Sequence, residues 1–522
     1  MRSSRTAWVV AGLFGGLAGL VVSLLASVLL VVREQPVVAV AEMVIRVTPG
    51  HLAEKLIALV GHWDKPLLVA GTVIGSLLCF AAAGLLGRRH SWGAVAVFTA
   101  MGGLAVAAVL TGPQGTPTRL VPVVAGYLTW LAVFAWLAGG LTTVAASRRA
   151  EGTSDASGAS GVDTPGLLSR RGFLVRVGVV GSASVGVGVL TRVKGAGARA
   201  VEEARSLVRL DGVTMPAIPA RARLGLRGLT PWLTENDDFY IVHTVITTPT
   251  IDPTAWKLRI HGLVDHPYEL TYQDLLDMEK TELWMTLNCV SNPVGGDLIG
   301  NAWWSGVLLK GLLEKAGVQA DADAVLQTSE DGWTCGTPLS TLLDDRQAML
   351  ALAMNGEPLP IEHGFPVRTI VPGLFGYVSA CKWVVDMEIT RFDKIEPYWV
   401  QRGWAELAPV KLSSRIDVPS SGDSVPVGQL KVGGLAWAQT TGIRSVEVSL
   451  DGGEWVTAVV GHVPTDDTWV QWMTTIDVAE GDHQVAVRAI DKTGEVQTGE
   501  IADVVPDGAT GWHTVDFTAE AE

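Results

Sequence analysis

Long apolar runs fill the first third of the chain, and short runs that alternate between apolar and polar residues fill the rest. Four of the long runs have the length of about 20 residues that a membrane-spanning helix needs. They cover roughly residues 8–32, 66–86, 92–110 and 120–141, and a fifth, shorter run covers 173–190. The pattern predicts an α-helical transmembrane block, with a four-helix anchor over residues 1–146 and one further span.

Pairs of positively charged residues fall on one side of the membrane if these spans alternate in direction: Arg2, Arg5, Arg88, Arg89, Arg148 and Arg149. Positive charge marks the cytoplasmic side. We therefore expect a multi-pass protein of the cytoplasmic membrane whose N-terminus is inside and whose last two-thirds lie on the extracytoplasmic side. The runs contain no two histidines placed to face each other, so no haem is predicted between them.

A polar stretch separates the fourth and fifth runs. Residues 147–168 are rich in Ser, Gly, Asp and Thr, which predicts a flexible cytoplasmic linker. The following segment, 169–190, begins Ser169-Arg170-Arg171-Gly172-Phe173-Leu174 and resembles a twin-arginine export signal, although it is internal. The alternative is a pair of ordinary arginines that stop the transfer of a span.

Mixed periodicities after a connector at 191–228 predict an α+β domain over residues 229–408. Residues 256–260 alternate as a strand that ends at Gly262, and Thr271 is placed to cap a short helix. A second helix is predicted around residues 308–313, ending near Gly317. Short strands and short helices in mixed order are typical of this fold class.

Beyond about residue 409 the pattern becomes all-β. Residues 443–450 alternate and run into Asp451-Gly452-Gly453, a hairpin turn, and residues 485–489 alternate again. Strands at this spacing predict an immunoglobulin-like sandwich over residues 409–518. The segment has no visible cluster of catalytic residues, so a packing or partner role is expected.

Composition excludes some classes of function. The 522 residues are 48% hydrophobic, which fits a membrane protein, and the net charge of −14 argues against a nucleic-acid partner. Four cysteines are too few for a disulfide scaffold, although Cys335 and Cys381 are able to pair outside the cytoplasm. The sequence contains no Cys-x-x-Cys-His haem motif, so electrons are expected to pass through a partner.

Cys289 is the candidate catalytic residue. It lies where the apolar run Thr286-Leu287-Asn288 breaks into the turn Val290-Ser291-Asn292-Pro293-Val294-Gly295-Gly296, a place from which a thiol can enter a cleft. Downstream, His363-Gly364-Phe365-Pro366-Val367-Arg368 and Lys382-Trp383 provide cations for an anion. A soft thiolate beside an anion site suggests a metal cofactor that bears a phosphate.

Four motifs in this order resemble the sulfite-oxidase family of molybdopterin enzymes, in a membrane-anchored bacterial form. They are the segment from Phe239-Tyr240 to His243, the Cys289 segment, Met354-Asn355-Gly356-Glu357 leading into 363–368, and Pro372-Gly373-Leu374-Phe375-Gly376 leading to Lys382-Trp383. The resemblance spans roughly residues 229–515, and the β-rich part is similar to the family's dimerisation domain. It implies a molybdenum–molybdopterin cofactor, with or without a nucleotide, and two-electron oxygen-atom transfer.

The resemblance also implies roles for single residues. Cys289 would be the one protein ligand of molybdenum, and the remaining residues would contact the cofactor: Tyr240, His243, Thr328, His363, Arg368, Ser379, Ala380 and Lys382. The partners implied are a small-molecule substrate, a cytochrome or a quinone-linked electron carrier, the lipid bilayer and, in a homodimer, a second copy of the chain.

Two departures from the family bear on the substrate. Ile241 follows Tyr240, and Pro293 follows Asn292, where the resemblance leads one to expect arginines that attract an oxyanion. A true sulfite oxidase is therefore not predicted, and the substrate stays open. The alternative functions are a cofactor-free, membrane-tethered binding or adhesion protein that kept the fold, and a cysteine hydrolase, which needs a histidine base near Cys289.

Overall fold

The computed structural model describes residues 5–30, 35–49, 63–112, 117–151 and 196–521, with the separate residues 52, 56, 60, 175–178 and 181. The chain forms two compact units, one of residues 1–199 with 244–248 and one of residues 200–243 with 249–522. The helices of the described residues are α1 Arg5–Leu29, α2 Pro36–Val47, α3 Asp64–Arg89, α4 Ser91–Leu110, α5 Leu120–Glu151, α6 Ala196–Leu207, α7 Tyr272–Asp277, α8 Leu309–Ala316, α9 Leu339–Leu343 and α10 Gly376–Ser379.

Within the part of the first unit that the structure describes, four helices are long and apolar enough to cross a membrane: Arg5–Leu29, Asp64–Arg89, Trp92–Leu110 and Leu120–Gly139. Glycines of α1 allow its neighbours to approach, since a Cβ at Gly12 would collide with the backbone of α3 and one at Gly19 with the Trp130 ring of α5. Trp130 also donates from Nε1 to the Gly16 oxygen at 2.8 Å. The sequence predicts the linker at 147–168, but α5 continues to Glu151, and the rest of the linker lies outside the described residues. The twin-arginine motif at 169–174 and most of the fifth span predicted up to residue 190 also lie outside them.

The second unit is built from short strands. They are β1 Lys257–Gly262, β2 Tyr268–Thr271, β3 Thr281–Asn288, β4 Ile299–Leu308, β5 Ala324–Ser329, β6 Thr334–Pro338, β7 Met349–Met354, β8 Glu357–Pro358, β9 Arg368–Ile370, β10 Val384–Thr390, β11 Ser413–Val418, β12 Ser424–Pro426, β13 Gly428–Trp437, β14 Ile443–Leu450, β15 Val456–Thr457, β16 Val459–Val460, β17 Val470–Val478, β18 Gly481–Asp491 and β19 His513–Glu520.

Two sheets with short helices form the α+β part of this unit. One has the order β2-β1-β10-β5-β6, and the other has the order β3-β4-β7-β8 with β9 paired to β7. The predicted local elements are present where they were expected. Thr271 caps α7 with a capping box in which Asp274 is the reciprocal partner, and α8 ends at Gly317 with φ +70.

The C-terminal part is β-rich. One sheet has the order β11-β13-β17-β16 and the other β12-β19-β18-β14-β15. Residues of both sheets share one buried apolar cluster, which includes Val432 and Trp472 from the first sheet and Val448, Val487 and Phe517 from the second. The predicted hairpin is present, because β14 pairs with β15 through Val448 and Val456. The specific immunoglobulin-like topology stays a prediction.

Candidate functional site

Cys289 lies directly after β3 at the entrance of a tight turn. Its amide donates to the Leu298 oxygen at 3.0 Å, and its oxygen accepts from the Asn292 amide at 3.2 Å. The thiol is buried. Burial raises its pKa, and hydrogen bonds from the main chain and side chain of Ser291 oppose that shift. No histidine is among the groups that shift this pKa in the described chain.

Arg368 begins β9 and is almost completely buried, with 4% of its surface exposed. Its Nη1 donates to the His363 oxygen at 3.1 Å, and its guanidinium lies 5.3 Å from the ring centre of Trp304. Among the described residues its Nε has no hydrogen-bond partner, and no carboxylate forms an ion pair with it. Burial lowers its pKa to about 10. A buried cation of this kind is strongly destabilising unless an anion accompanies it.

Tyr240 connects these two residues electrostatically. Its ring stacks on Phe239 at 5.2 Å between centres. Its pKa is well above the usual value, first because of burial and then because of the neighbouring Cys289 thiol, while Arg368 acts in the opposite direction. The structure thus brings together three of the residues singled out in the sequence, Tyr240, Cys289 and Arg368.

His363 ends a short turn of 3₁₀ helix ahead of Arg368. It is 3% exposed, and its Nε2 lies 3.1 Å from the Asn236 oxygen, to which it donates. Burial, followed by the charges of Arg368 and Lys382, lowers its pKa to about 4, so the ring is neutral near pH 7. Gly364 follows with φ +113, and a Cβ there would lie 3.0 Å from the Arg368 Cβ and 3.2 Å from the Lys382 Cβ. The Cβ atoms of Arg368 and Lys382 both pack against this position, which has room for them because it lacks a side chain.

Lys382 and His243 are also in contact. Lys382 Nζ donates to the Glu362 oxygen at 2.9 Å and lies 3.3 Å from His243 Nδ1. Its ammonium is 4.9 Å from the ring centre of Trp383, which has the unusual φ of +51 for a residue with a side chain. We call residues 363–382 the anion-binding segment, since Arg368 and Lys382 lie within it.

Among the described residues, the remaining ones singled out in the sequence form no hydrogen bond with Cys289 or Arg368. Ser379 is completely buried at the end of α10, but its hydroxyl donates to the oxygens of Leu374 and Phe375, at 3.1 and 3.0 Å. Ala380 is buried beside it. Thr328 lies half-buried on β5, opposite Asp386 of β10. Their contacts with a cofactor stay predictions.

Three residues around the site were missed from the sequence. The Trp304 ring lies against the Arg368 guanidinium, and the main-chain oxygen of Asn236 accepts the hydrogen bond from His363. Asn288 precedes Cys289, and its buried side-chain oxygen has no partner among the described residues. The adjacent pair Trp303-Trp304 was a signal, because two neighbouring tryptophans on one strand point to opposite faces of the sheet. Nothing in the sequence marked Asn236.

A cavity of about 870 Å³ opens beside Tyr240. Its lining includes Ile241 and Leu298, and Leu298 is the residue whose oxygen accepts the Cys289 amide. Three carboxylates line it: Glu235, Asp238 and Asp297. Of its two arginines, Arg223 is exposed, and Arg415 donates to Asp417, Gly296 and Thr230. The three carboxylates outnumber the two arginines, so the lining as a whole disfavours a dianion.

Two family models match the chain beyond residue 244. Residues 245–399 match an oxidoreductase molybdopterin binding domain, and residues 407–520 match a Mo-co oxidoreductase dimerisation domain. The first match contains Cys289, Thr328, His363, Arg368 and Lys382, while Tyr240 and His243 lie just ahead of it.

Several known proteins are similar to this chain. The oxidoreductase YuiH of Bacillus subtilis (strain 168), described as uncharacterized, is 36% identical over 166 residues, which are 32% of this chain and 80% of YuiH. The mitochondrial sulfite oxidase of Macaca fascicularis is 26% identical over 351 residues, covering 56% of this chain and 64% of that protein. A solved structure, the sulfane dehydrogenase SoxCD from Paracoccus pantotrophus, is 28% identical, covers 51% of this chain and 75% of its own, and aligns with a TM-score of 0.47.

The residues present fit a molybdopterin. Arg368 offers an unused buried donor, and Asn288 offers an unused buried acceptor next to Cys289, which suits a polar organic ligand with groups of both kinds. Among the described residues no three His, Cys, Asp or Glu side chains form a metal-binding group. A metal at Cys289 would therefore take its other ligands from a cofactor, and the dithiolene sulfurs of a molybdopterin are soft ligands that match a thiolate.

Proposed function

This chain belongs to the sulfite-oxidase family of molybdopterin oxidoreductases, and we propose that Cys289 is its protein ligand for molybdenum. We further propose that the enzyme acts on a small substrate outside the cytoplasmic membrane. The bound cofactor supplies two-electron oxygen-atom chemistry, and the protein supplies ligation, orientation and a shaped cavity.

The buried guanidinium of Arg368 carries this proposal. It lies close enough to Tyr240 to alter that residue's pKa, and Tyr240 in turn interacts with Cys289. In the described chain its Nε is without a partner. A phosphate of the cofactor would accept from that donor and compensate the charge. A cofactor-free binding protein would gain nothing from such a charge and would bear its cost.

The other residues have supporting roles in this proposal. Lys382 adds a second positive charge to the phosphate site. His363 remains neutral there and can hydrogen-bond the pterin, since its pKa of about 4 keeps a third cation away from Arg368. Tyr240 stays protonated and can donate a hydrogen bond beside the metal, because its pKa is raised well above the usual value.

We propose an uncharged substrate rather than sulfite. The cavity beside Tyr240 is lined by three carboxylates, Glu235, Asp238 and Asp297, and by only two arginines, of which Arg415 is paired with Asp417. Negative lining repels a dianion, whereas an uncharged oxo compound, or its reduced counterpart, is tolerated. A screen of uncharged S-oxides and N-oxides against sulfite, with artificial electron donors and acceptors, tests this choice.

The proposed setting is the membrane. The four apolar helices would anchor the chain in the bilayer, with Arg88 and Arg89 at the end of α3 on the cytoplasmic side. An electron carrier would exchange electrons with the catalytic domain. The match to a dimerisation domain favours a homodimer through the C-terminal part, where Ile501 is 91% exposed near Trp512, itself 37% exposed.

Metal analysis of the full chain tests the central proposal. The protein is purified in detergent from molybdate-fed cells, and molybdenum and phosphate are measured per chain. We expect roughly one molybdenum per wild-type chain, as a single thiolate ligand requires, and a loss of the metal-centred redox signal in Cys289→Ser. Cys79→Ser is the control, because Cys79 is exposed on α3. A metal-free wild-type protein, from cells whose other molybdenum enzymes are loaded, would favour the binding-protein alternative.

A further inference from the structure

Gln439 of the β-rich part joins both segments from which the proposed site is built. It lies in the turn after β13 and is 5% exposed. Its Nε2 donates to the oxygens of Thr286 and Asp467, the latter at 3.1 Å, and its Oε1 accepts from the Gly373 amide at 3.2 Å. One side-chain amide therefore uses both its donors and its acceptor on three separate segments.

The first of these segments is β3, which ends next to Cys289. β3 is the outer strand of its sheet, and such an edge leaves N–H and C=O groups without partners. Here the edge is completed by the C-terminal part, because the Thr286 amide donates to the Asp467 oxygen at 2.9 Å and Thr286 Oγ1 accepts from the Trp469 amide at 2.8 Å. Gln439 binds the remaining group, the Thr286 oxygen. β4 sets the register of β3, and the C-terminal part holds the free edge of β3 at Thr286, three residues ahead of Cys289.

The second segment begins at Gly373 and leads to Lys382, one of the two cations. Gly373 has φ +81, and a Cβ there would lie 2.7 Å from Thr440 Cγ2, so the Thr440 side chain packs directly against the Gly373 backbone. Its oxygen accepts from the Val410 amide at 2.9 Å, and α10 follows within the same segment. The hydroxyl of Ser379, at the end of α10, is bonded back to Leu374 and Phe375. The chain from Gly373 to Lys382 is thus held at its start by Gln439.

We propose that Gln439 is a positioning residue that sets the place of Cys289 relative to the anion-binding segment, and so couples the C-terminal part to the metal site. The inference rests on the proposed function, because it needs one cofactor to bind across both segments. Gln439 acts through Thr286 and Gly373 and touches none of the residues assigned to the cofactor. Groups that hydrogen-bond a ligating residue directly alter affinity or activity by about 10- to 100-fold when they are removed, and the more indirect Gln439 is expected at the lower end of that range.

The test compares two buried glutamines of the same part of the chain. Gln439→Met removes the amide at nearly constant volume. Gln497→Met is the matched control, since Gln497 is 3% exposed and its amide bonds Ser414, Ala489 and Gly511, all within the C-terminal part. The full-length, metal-loaded chains are partly reduced, and the electron paramagnetic resonance signal of pentavalent molybdenum is recorded with kcat and KM.

We expect a shifted signal in Gln439→Met and a fall in kcat of about tenfold, with a smaller change in KM. Gln497→Met should retain the wild-type signal even where its melting temperature falls equally. A Gln439→Met signal and kcat identical to wild type at equal metal content would overturn the inference. A wild-type protein that shows no such signal would instead contradict the proposed function.

A second variant covers the case in which Gln439→Met fails to fold. In Gln439→Glu an ionised carboxylate faces the two carbonyl oxygens, whereas a protonated one donates to one of them and still accepts from Gly373. We therefore expect the signal and kcat to recover as the pH is lowered, a dependence that wild type lacks. Failure to recover at any pH at which the variant is folded and loaded would also overturn the inference.

Discussion

Arg368 donates from Nη1 to the His363 oxygen, 3.1 Å away, yet within the described chain its Nε has no partner. One neutral hydrogen bond does not compensate a guanidinium that is 4% exposed. The metal-free protein therefore retains an electrostatic cost at this point that a bound phosphate would remove.

Replacing Arg368 should separate stability from cofactor binding. We expect Arg368→Met to lose most of its molybdenum and phosphate, while its metal-free form keeps its free energy of unfolding or gains about 1–4 kcal/mol. Arg415→Met is the contrast, since Arg415 is 8% exposed and paired with Asp417 at 2.8 Å, which the variant would leave uncompensated. Metal analysis and denaturant unfolding provide the measurements. Equal destabilisation by the two changes would show that Arg368 is structural.

Gly364→Ala should displace both cations. The new Cβ would approach the Cβ atoms of Arg368 and Lys382 at 3.0 and 3.2 Å, at a position with φ +113. We expect a loss of about 1–3 kcal/mol in unfolding free energy and a clear fall in phosphate content. Gly403→Ala matches the backbone cost, because Gly403 has φ +94 with open space around it. Retention of phosphate in Gly364→Ala at the level of Gly403→Ala would contradict this account.

His363 should make the metal-free protein sensitive to acid. Its pKa is about 4 in the folded state and about 6.5 in an unfolded chain. The unfolded chain therefore takes up a proton first as the pH falls from about 6.5, and folding stability falls with it, by roughly 3 kcal/mol at pH 4. His363→Asn should flatten this part of the pH profile of unfolding. Parallel profiles for wild type and variant would refute the assignment.

The cavity should accept an anion more readily once it contains a further cation beside Arg223 and Arg415. Ile241 lines it and is 49% exposed, while the neighbouring Val242, 43% exposed, is not part of the lining. We expect Ile241→Arg to lower the KM for sulfite, or its inhibition constant, by about tenfold, a value of about 1.4 kcal/mol. Val242→Arg is the control for added charge. An equal effect of both variants would point to the overall field rather than to this cavity.

Ile501 should contribute to self-association. It is 91% exposed in the part of the chain that matches a dimerisation domain, where Val496, Val505 and Trp512 are exposed as well. An exposed apolar patch is typical of an interaction surface. We expect Ile501→Lys to halve the mass of the detergent-corrected particle in light scattering. Val427→Lys is the control, because Val427 is 42% exposed and bonds Glu520, at the far end of β19 from Trp512. A particle of unchanged mass in Ile501→Lys would remove this surface from the interface.

Local signals in the sequence were sufficient for much of the fold. The capping box at Thr271, the left-handed Gly317 and the β14–β15 hairpin depend on neighbouring residues, and each is where the pattern indicated. The apolar lengths also identified four helices of the described chain that are able to span a membrane. An apolar run does not show which of its residues face the helix bundle, and Cys79 of α3 lies in such a run but is exposed.

The sequence marked the candidate residues of the site but not the residues that hold them in place. Cys289, Arg368 and Lys382 stand in recognisable motifs. Trp304 under the guanidinium and Gln439 on the edge of β3 do not, because each acts through contacts between residues far apart in the chain. Such contacts leave no periodicity, and a single buried glutamine looks like any polar residue of a loop.

The pairing of β3 with Asp467 and Trp469 bears on how such a protein can be recombined. In a chimera whose last hundred or so residues come from a relative, β3, the strand that precedes Cys289, would pair along its free edge with residues of another protein. Successful exchanges would need to transplant the two surfaces together, and a graft chosen by sequence boundaries alone would alter the metal's surroundings without touching a single ligand.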